Sequence, residues 1–360
     1  MKIVIFGLAV SSSWGNGHAA LWRGLIQALL EAGHRVVFFE KDVPYYAANR
    51  DLHALPPGGT LVLYDDWAGA LPQARAALAD ADVGMVTSYC PDGLAATELV
   101  LGTDLAVRCF YDLDTPVTLA RIEAGEDVGY IGPDGLAPFD LVLSYTGGGA
   151  LDALRTQLGA RRTAPIYGSV DPALHRPSDK RPDYAALLSY LGTYAADRQS
   201  ALERLFVEPA RRLPNERFVI GGAQYPDSFP WTANTFFVRH LPPPAHPAFY
   251  SSSRLTLNIT REAMARMGWC PSGRLFEAAA CGVPILTDWF TGLDAFFVPG
   301  EEILVAHTTE DAMAALQLGD DELVRIAMRA RARAIEEHSA ARRAAEMVAA
   351  FETAKTPVSA

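Results

Sequence analysis

Apolar residues along this chain fall into two alternating textures. Short runs of Val, Ile, Leu and Phe recur as KIVIFG, RVVFFE, TLVLY, VGMVTS, LAVRCFYD and FDLVLSY. Runs of that length without polar alternation mark strands buried on both faces. Between several of them the spacing changes to three and four. Leu21, Trp22, Leu25, Ile26, Leu29 and Leu30 share one helical face, and Gly33 supplies a stop. This alternation predicts a doubly wound parallel sheet.

A Pro- and charge-rich stretch, HRPSDKRPDY (His175–Tyr184), reads as a linker, and the pattern then restarts. LLSYLG, RFVIGG, RLTLNIT and VPILTD have strand character, while DRQSALERLFVEPARRL and RLFEAAACG have helical character. From Asp320 onward the chain reads as helical, with Asp320 or Asp321 and Ser339 as N-cap candidates. The expected fold class is α/β: two Rossmann-like doubly wound domains facing across a cleft, with a helical C-terminal tail. The expected boundaries are 1–177, 178–335 and 336–360. Ligands bind such sheets at the carboxyl ends of the strands, so the loops there hold the candidate chemistry.

Composition narrows the function classes. At 360 residues the length favours two domains, each with its own core. A net charge of −11 argues against a general nucleic-acid or anionic-membrane surface. The basic residues are almost all Arg; Lys2, Lys41, Lys180 and Lys355 are the lysines, which counts against a Schiff-base lysine or a Walker-type loop. Cys90, Cys109, Cys270 and Cys281 show no C-x-x-C spacing, so neither a zinc site nor a disulfide framework is indicated. The apolar start is too short for a signal peptide and no stretch approaches a membrane span, so a cytoplasmic location is expected.

The strongest chemical signal is CPSGRLFEAAACGVPILTD, Cys270–Asp288. Ser272 is a suitable N-cap and Gly282 a suitable C′ residue, which brackets a short helix over 273–281, and Pro284 then starts a strand. Amides at the start of such a helix hold phosphate well, and Arg274 adds a charge-assisted contact. Glu277 is a lone carboxylate on an otherwise apolar helix, suited to accept hydrogen bonds from two neighbouring hydroxyls such as those of a ribose. The plainer role for Glu277 is a salt bridge to Arg274, which contributes only ~0.2–0.5 kcal/mol on a helix surface.

The string EAAACGVP resembles the nucleotide-sugar signature of GT-B glycosyltransferases. YGSVDPALHRP (Tyr167–Pro177) looks like the segment that links the two domains in that group. LSYLGTY, FYSSSRLTLNITR and PSGRLFEAAACG together resemble the CgeB-like, spore maturation protein-like branch. The resemblance covers nearly the whole chain, is most specific in the second half, and implies that segment 336–360 packs back toward the first domain. It implies a donor site made by Gly192, Asn258, Thr260, Arg261, Ser272, Gly273, Arg274 and Glu277. In it the glutamate grips the ribose, and Arg261 and Arg274 neutralise the diphosphate. Many retaining members carry a further glutamate seven residues earlier; Cys270 stands there in this chain, so that role does not transfer.

The first half is then expected to hold the acceptor. Gly15-Asn16-Gly17-His18-Ala19-Ala20 also fits the G-x-G-x-x-A fingerprint of a dinucleotide site, with Glu40 placed as the ribose-binding acid. An insertion of about eight residues before Gly15 weakens that oxidoreductase reading. Under the glycosyltransferase resemblance, Trp14, Gly15, Asn16 and Gly17 line the acceptor loop and His18 is the base, held in one tautomer by Asp112 or Asp114. The alternative for His18 is a phosphate contact or a helix cap. Asp112-Leu113-Asp114 also matches the metal-binding D-x-D pattern of single-domain enzymes, but no metal and no cofactor is expected. Thr146, Gly147 and Gly148 form a further strand–helix turn on the acceptor side, or a purely structural one. Trp22, Trp67, Tyr89 and Tyr111 are stacking candidates or core residues. The expected partners are a nucleoside diphosphate sugar, UDP- or dTDP-linked, and a small-molecule or glycan acceptor. A nucleotide-sugar epimerase, or a binding protein that kept only the donor pocket, is the alternative on the same architecture.

Overall fold

The computed structural model describes residues 1–14 and 16–356. Gly15 of the acceptor loop lies outside the described residues. The chain divides into two units, Met1–Tyr167 together with the C-terminal helix, and Gly168–Ser339.

The first unit is built on seven parallel strands: β1 (Lys2–Gly7), β2 (Arg35–Lys41), β3 (Gly59–Tyr64), β4 (Val83–Thr87), β5 (Val107–Asp112), β6 (Leu141–Ser144) and β7 (Thr163–Pro165). Their order is β3-β2-β1-β4-β5-β6-β7. Alternation along β1 explains the uninterrupted apolar run. Ile3 and Ile5 enter one apolar layer with Trp22, Leu25, Ile26 and Leu29 of the Gly17–Glu31 helix. Val4 and Phe6 enter the opposite layer with Phe39, Ala74 and Val100. Fully burying a side chain of this type contributes about 1.5–3 kcal/mol, so both faces reward the same run.

The C-terminal helix, Ala340–Ala354, belongs to this unit and places Met347 and Phe351 in the layer with Trp22. The preceding helix, Asp320–Glu337, stays in the second unit. The break between units therefore falls after Ser339, not at 336. Gly319, rather than Asp320 or Asp321, occupies the N-cap, and both aspartates lie in the first turn, where their charge complements the helix dipole.

The second unit has six parallel strands: β8 (Ala186–Leu191), β9 (Phe218–Gly222), β10 (Thr235–Arg239), β11 (Ser253–Asn258), β12 (Ile285–Thr287) and β13 (Leu304–Val305), ordered β10-β9-β8-β11-β12-β13. Strands β7, β10 and β13 do not stand out in the sequence, and each is a sheet edge. An edge strand has one neighbour and needs no continuous apolar run; Phe236 and Phe237 of β10 are exposed.

The stretch read as a linker is not one. Ser178 N donates to Ser251 Oγ at 3.1 Å and Arg181 N to Ser252 Oγ at 2.7 Å, which ties His175–Tyr184 to the second unit. Its polar composition reflects backbone amides held by serine hydroxyls rather than a free connection. Among the described residues no helix is long and apolar enough to cross a membrane.

Candidate active site

In each sheet the strand order reverses at one point, between β1 and β4 in the first and between β8 and β11 in the second. A crevice at the carboxyl ends of such strands is where open α/β sheets take ligands. The second unit meets this rule most fully.

The helix Gly273–Ala280 begins at Ser272, whose backbone is extended as an N-cap requires, but whose side chain makes no cap hydrogen bond. It ends one residue earlier than expected, and Gly282, at φ +73°, supplies the left-handed turn beyond it. Leu275, Phe276, Ala278, Ala279 and Ala280 are buried, which leaves the Arg274 and Glu277 side with the polar work.

Arg274 Nη1 donates to Asn258 Oδ1 at 3.1 Å, and its guanidinium lies 5.3 Å from the Tyr190 ring centroid. Asn258 is itself fixed, with Nδ2 donating to Thr287 Oγ1 at 2.9 Å. Gly192 leaves room for this arginine. A Cβ there would stand 2.9 Å from Arg274 Nη2 and from Tyr190 Oη. A second cation converges from a helix start without a motif: Arg198 Nη1 donates to Tyr190 Oη at 3.0 Å, and its Nε is buried with no hydrogen-bond partner. Sequence reasoning missed Arg198 because nothing in DRQS marks it.

Arg261 and Thr260 are more committed than expected. Arg261 Nε donates to Asp197 Oδ2 at 2.7 Å, and Asp197 is held below the usual carboxylate range; burial pushes it up, but the Arg261 bond and the Glu262 amide outweigh burial. Arg261 is thus already neutralised. Thr260 donates its amide and its hydroxyl to Asp288, whose carboxyl burial raises.

Glu277 does not pair with Arg274 as the plainer reading proposed. Its Oε2 faces two imidazoles, His175 Nε2 at 4.0 Å and His246 Nδ1 at 3.9 Å. Burial raises its pKa, but the polar contact with His246 and the fields of His175, His246 and Arg274 prevail and hold it at about 2. The group is a permanent carboxylate at neutral pH. Neither histidine was legible: one lies in the apparent linker, the other follows a run of prolines at the start of the His246–Ser251 helix.

The first unit differs. Asn16 is a buried N-cap: its Oδ1 accepts from His18 N at 3.1 Å, and its Nδ2 donates to Ala9 O and Ser12 O at 3.3 Å each. It is therefore a scaffold for the loop rather than a cleft residue. Thr146 is fully buried and its amide donates to Ser144 Oγ, and a Cβ on Gly147 would meet Tyr167 Oη at 2.0 Å. Both are structural, in place of the acceptor role expected. Gly148 is the N-cap of the Gly149–Leu158 helix at φ +54°. Gly17 starts its helix with open space around its Cβ position, and Trp14 is 43% exposed. Trp22 and Tyr111 are fully buried core residues.

His18 is partly buried, its Nδ1 is enclosed without a hydrogen-bond partner, and desolvation lowers its pKa to about 4. It makes no bond to Asp112 or Asp114. Tyr89 stands between, its ring 5.6 Å from the His18 ring and its hydroxyl donating to Asp114 Oδ2 at 3.3 Å. Tyr89 holds φ +62°, a costly conformation for a bulky residue and one that clusters at functional sites. Asp112 is fully buried. Burial raises its carboxyl to about 6, although Oδ1 accepts from Asp114 N and Thr118 Oγ1. Asp112 is thus turned inward, away from the metal-binding role its spacing suggested and the histidine-orienting role the resemblance implied.

Glu40 settles the dinucleotide alternative against itself. Its carboxylate is fully buried and accepts from Val10 N at 2.7 Å, Ser11 N at 2.9 Å and Ser11 Oγ at 2.5 Å. A fully buried group committed to its own loop is out of reach of a ribose.

Comparison with known proteins agrees with the geometry. The model of a family described as glycosyl transferase-like matches residues 198–349. No curated protein matches the sequence. Among solved structures the chain is similar to sucrose-phosphate synthase from Thermosynechococcus elongatus, with a TM-score of 0.71, 16% identity and 98% of both chains covered. It is also similar to HepE (Alr3699) of Anabaena in complex with UDP and glucose, at 0.67 and 11% identity over 98% of this chain and 100% of that one. An alpha-glucosyltransferase in complex with UDP-glucose and DNA containing an abasic site scores 0.69 at 10% identity, over 98% and 99%. The chain therefore shares the two-domain α/β, GT-B-like fold of these structures, and its residues 198–349, which hold Arg198, Arg274 and Glu277, match the glycosyl transferase-like model.

Proposed function

We propose that this chain transfers a sugar from a UDP- or dTDP-linked donor to a hydroxyl-bearing acceptor without a metal ion. The observation that carries the reading is the Gly273–Ala280 helix, with uncapped first-turn amides, Arg274 over Tyr190 at its start and the ionised Glu277 one turn on. The diphosphate lies against the amides and is neutralised by Arg274 and Arg198. Glu277 accepts the two ribose hydroxyls. As the bond between the anomeric carbon and the phosphate oxygen breaks, the electron pair passes to a diphosphate whose charge these groups already offset. His18, neutral at pH 7, takes the acceptor's hydroxyl proton. With Cys270 in place of the first acid, a histidine base and inversion of configuration are the course the residues favour. Complexes of structural neighbours with UDP and with UDP-glucose support the choice of donor, and the motifs LSYLGTY and FYSSSRLTLNITR support the CgeB-like branch.

Product analysis with a panel of nucleoside diphosphate sugars tests the reading. A transferase releases nucleoside diphosphate only when an acceptor is present. Change of the donor sugar alone identifies an epimerase, and thermal stabilisation without turnover identifies a binding protein.

A further inference from the structure

His175, His246 and Glu277 have more in common than proximity. Their nitrogen and oxygen atoms lie within 4.8 Å of one another, the two imidazoles facing a single oxygen of Glu277 at 4.0 and 3.9 Å. Both separations are too long for a hydrogen bond. They are close to those of ligands around one ion: three ligands at about 2.1 Å from a metal stand roughly 3.4 Å apart, which asks each side chain to shift by about half an ångström. The three residues come from separate segments of the second unit, the stretch after β7, the His246–Ser251 helix and the Gly273–Ala280 helix. All three are partly buried, with 15%, 19% and 21% of their side-chain surfaces exposed. The His175 ring turns Nε2 toward Glu277, while its Nδ1 is enclosed without a hydrogen-bond partner.

We propose that His175, His246 and Glu277 bind a Zn²⁺-class divalent cation, and that the bound ion displaces the nucleotide. Two imidazoles and one carboxylate suit Zn²⁺ and leave a fourth position open, whereas Mg²⁺ prefers an all-oxygen, octahedral shell. A carboxylate that ligates the ion has lost the oxygen that would receive a ribose hydroxyl. This exclusion rests on the assignment of Glu277 to the ribose; the cation site itself does not. The ion is then an inhibitor, compatible with transfer that needs no metal.

Calorimetric titration of Zn²⁺ into the full chain tests the site, with Mg²⁺ as the comparison ion. One equivalent of Zn²⁺ is expected, weakened by more than ~10-fold in both His175→Ala and His246→Ala, with no Mg²⁺ uptake. Substituted Co²⁺ should give a visible d–d absorption that both variants lose. Melting curves are read first, and His175→Asn and His246→Asn replace any variant that fails to fold. No Zn²⁺ uptake, or uptake unchanged by both substitutions, overturns the proposal. Competition is read by repeating the titration with UDP present, corrected for Zn²⁺–UDP complexation in buffer. If Zn²⁺ binds at the histidines and UDP binding ignores Glu277→Gln, the ribose assignment fails and the cation site stands. If UDP depends on Glu277 and Zn²⁺ does not bind, the cation site fails and the ribose assignment stands. If each binds as expected without competing, exclusion is overturned.

Discussion

The strand-to-helix turns of the two units begin from similar material and end in opposite states. In the first unit the polar groups of the turn are spent on the turn itself. Asn16 caps and braces its loop, Glu40 holds the amides of Val10 and Ser11, and Thr146 is sealed beneath Ser144. His18 keeps an enclosed nitrogen without a hydrogen-bond partner. In the second unit Ser272 leaves the helix start uncapped, and two arginines converge on Tyr190. A glycine-rich spacing therefore carries little information about binding until the fate of its neighbours' hydrogen bonds is known. The second turn leaves its helix start without a side-chain cap, as the proposed donor site requires, and the first holds one imidazole in place.

The largest effect that separates the two turns is expected at His18. His18→Ala should lower turnover by roughly 10²–10⁴-fold with donor affinity little changed, as steady-state kinetics and calorimetry would read; equal losses in both would assign His18 to a phosphate contact. Arg274→Ala should weaken UDP binding by about 1.5–3 kcal/mol, the scale of hydrogen bonds to charged groups. Arg261→Ala, whose guanidinium is already paired with Asp197, should cost under ~1 kcal/mol. If the two arginines lost affinity equally, the distinction drawn from their partners would be wrong.

Gly147→Ala should destabilise the fold by about 1–3 kcal/mol in a denaturant melt, because the new methyl collides with Tyr167 Oη. A neutral result would return that turn to the acceptor site. The smallest effect is spectroscopic. Burial keeps His18 neutral, so its imidazole should titrate near 4 by NMR and stay deprotonated as pH falls from 7 through 6.5. A midpoint near 6.5 would show a solvated ring, and the base would then have no protected site.

Much of this was legible in the sequence because the same physical signal was repeated. β1, β2, β4, β5, β8 and β11 are interior strands buried on two faces, and their apolar runs say so. β7, β10 and β13 are edges, short or half exposed, and leave no comparable mark. The Gly273–Ala280 helix was readable from Ser272, Gly282 and a lone acid on an apolar surface. What surrounds that acid was not. Arg198, His175 and His246 come from three segments far apart in the chain, and each sits where composition suggests something else: a plain helix start, a linker and a proline-rich turn. Asp112 misled for the opposite reason. Its spacing from Asp114 is that of a metal pair, but alternation along β5 turns it into the core, where its pKa rises to about 6.

The donor site proposed for the second unit depends on Glu277 receiving the ribose of the nucleotide. Titration calorimetry of UDP, and of dTDP, against the native chain and Glu277→Gln tests this most directly. The account predicts a fall in affinity of about 10- to 150-fold, with the melting temperature of the free protein little altered. Undiminished affinity in Glu277→Gln would contradict it and move the nucleotide to another part of the molecule.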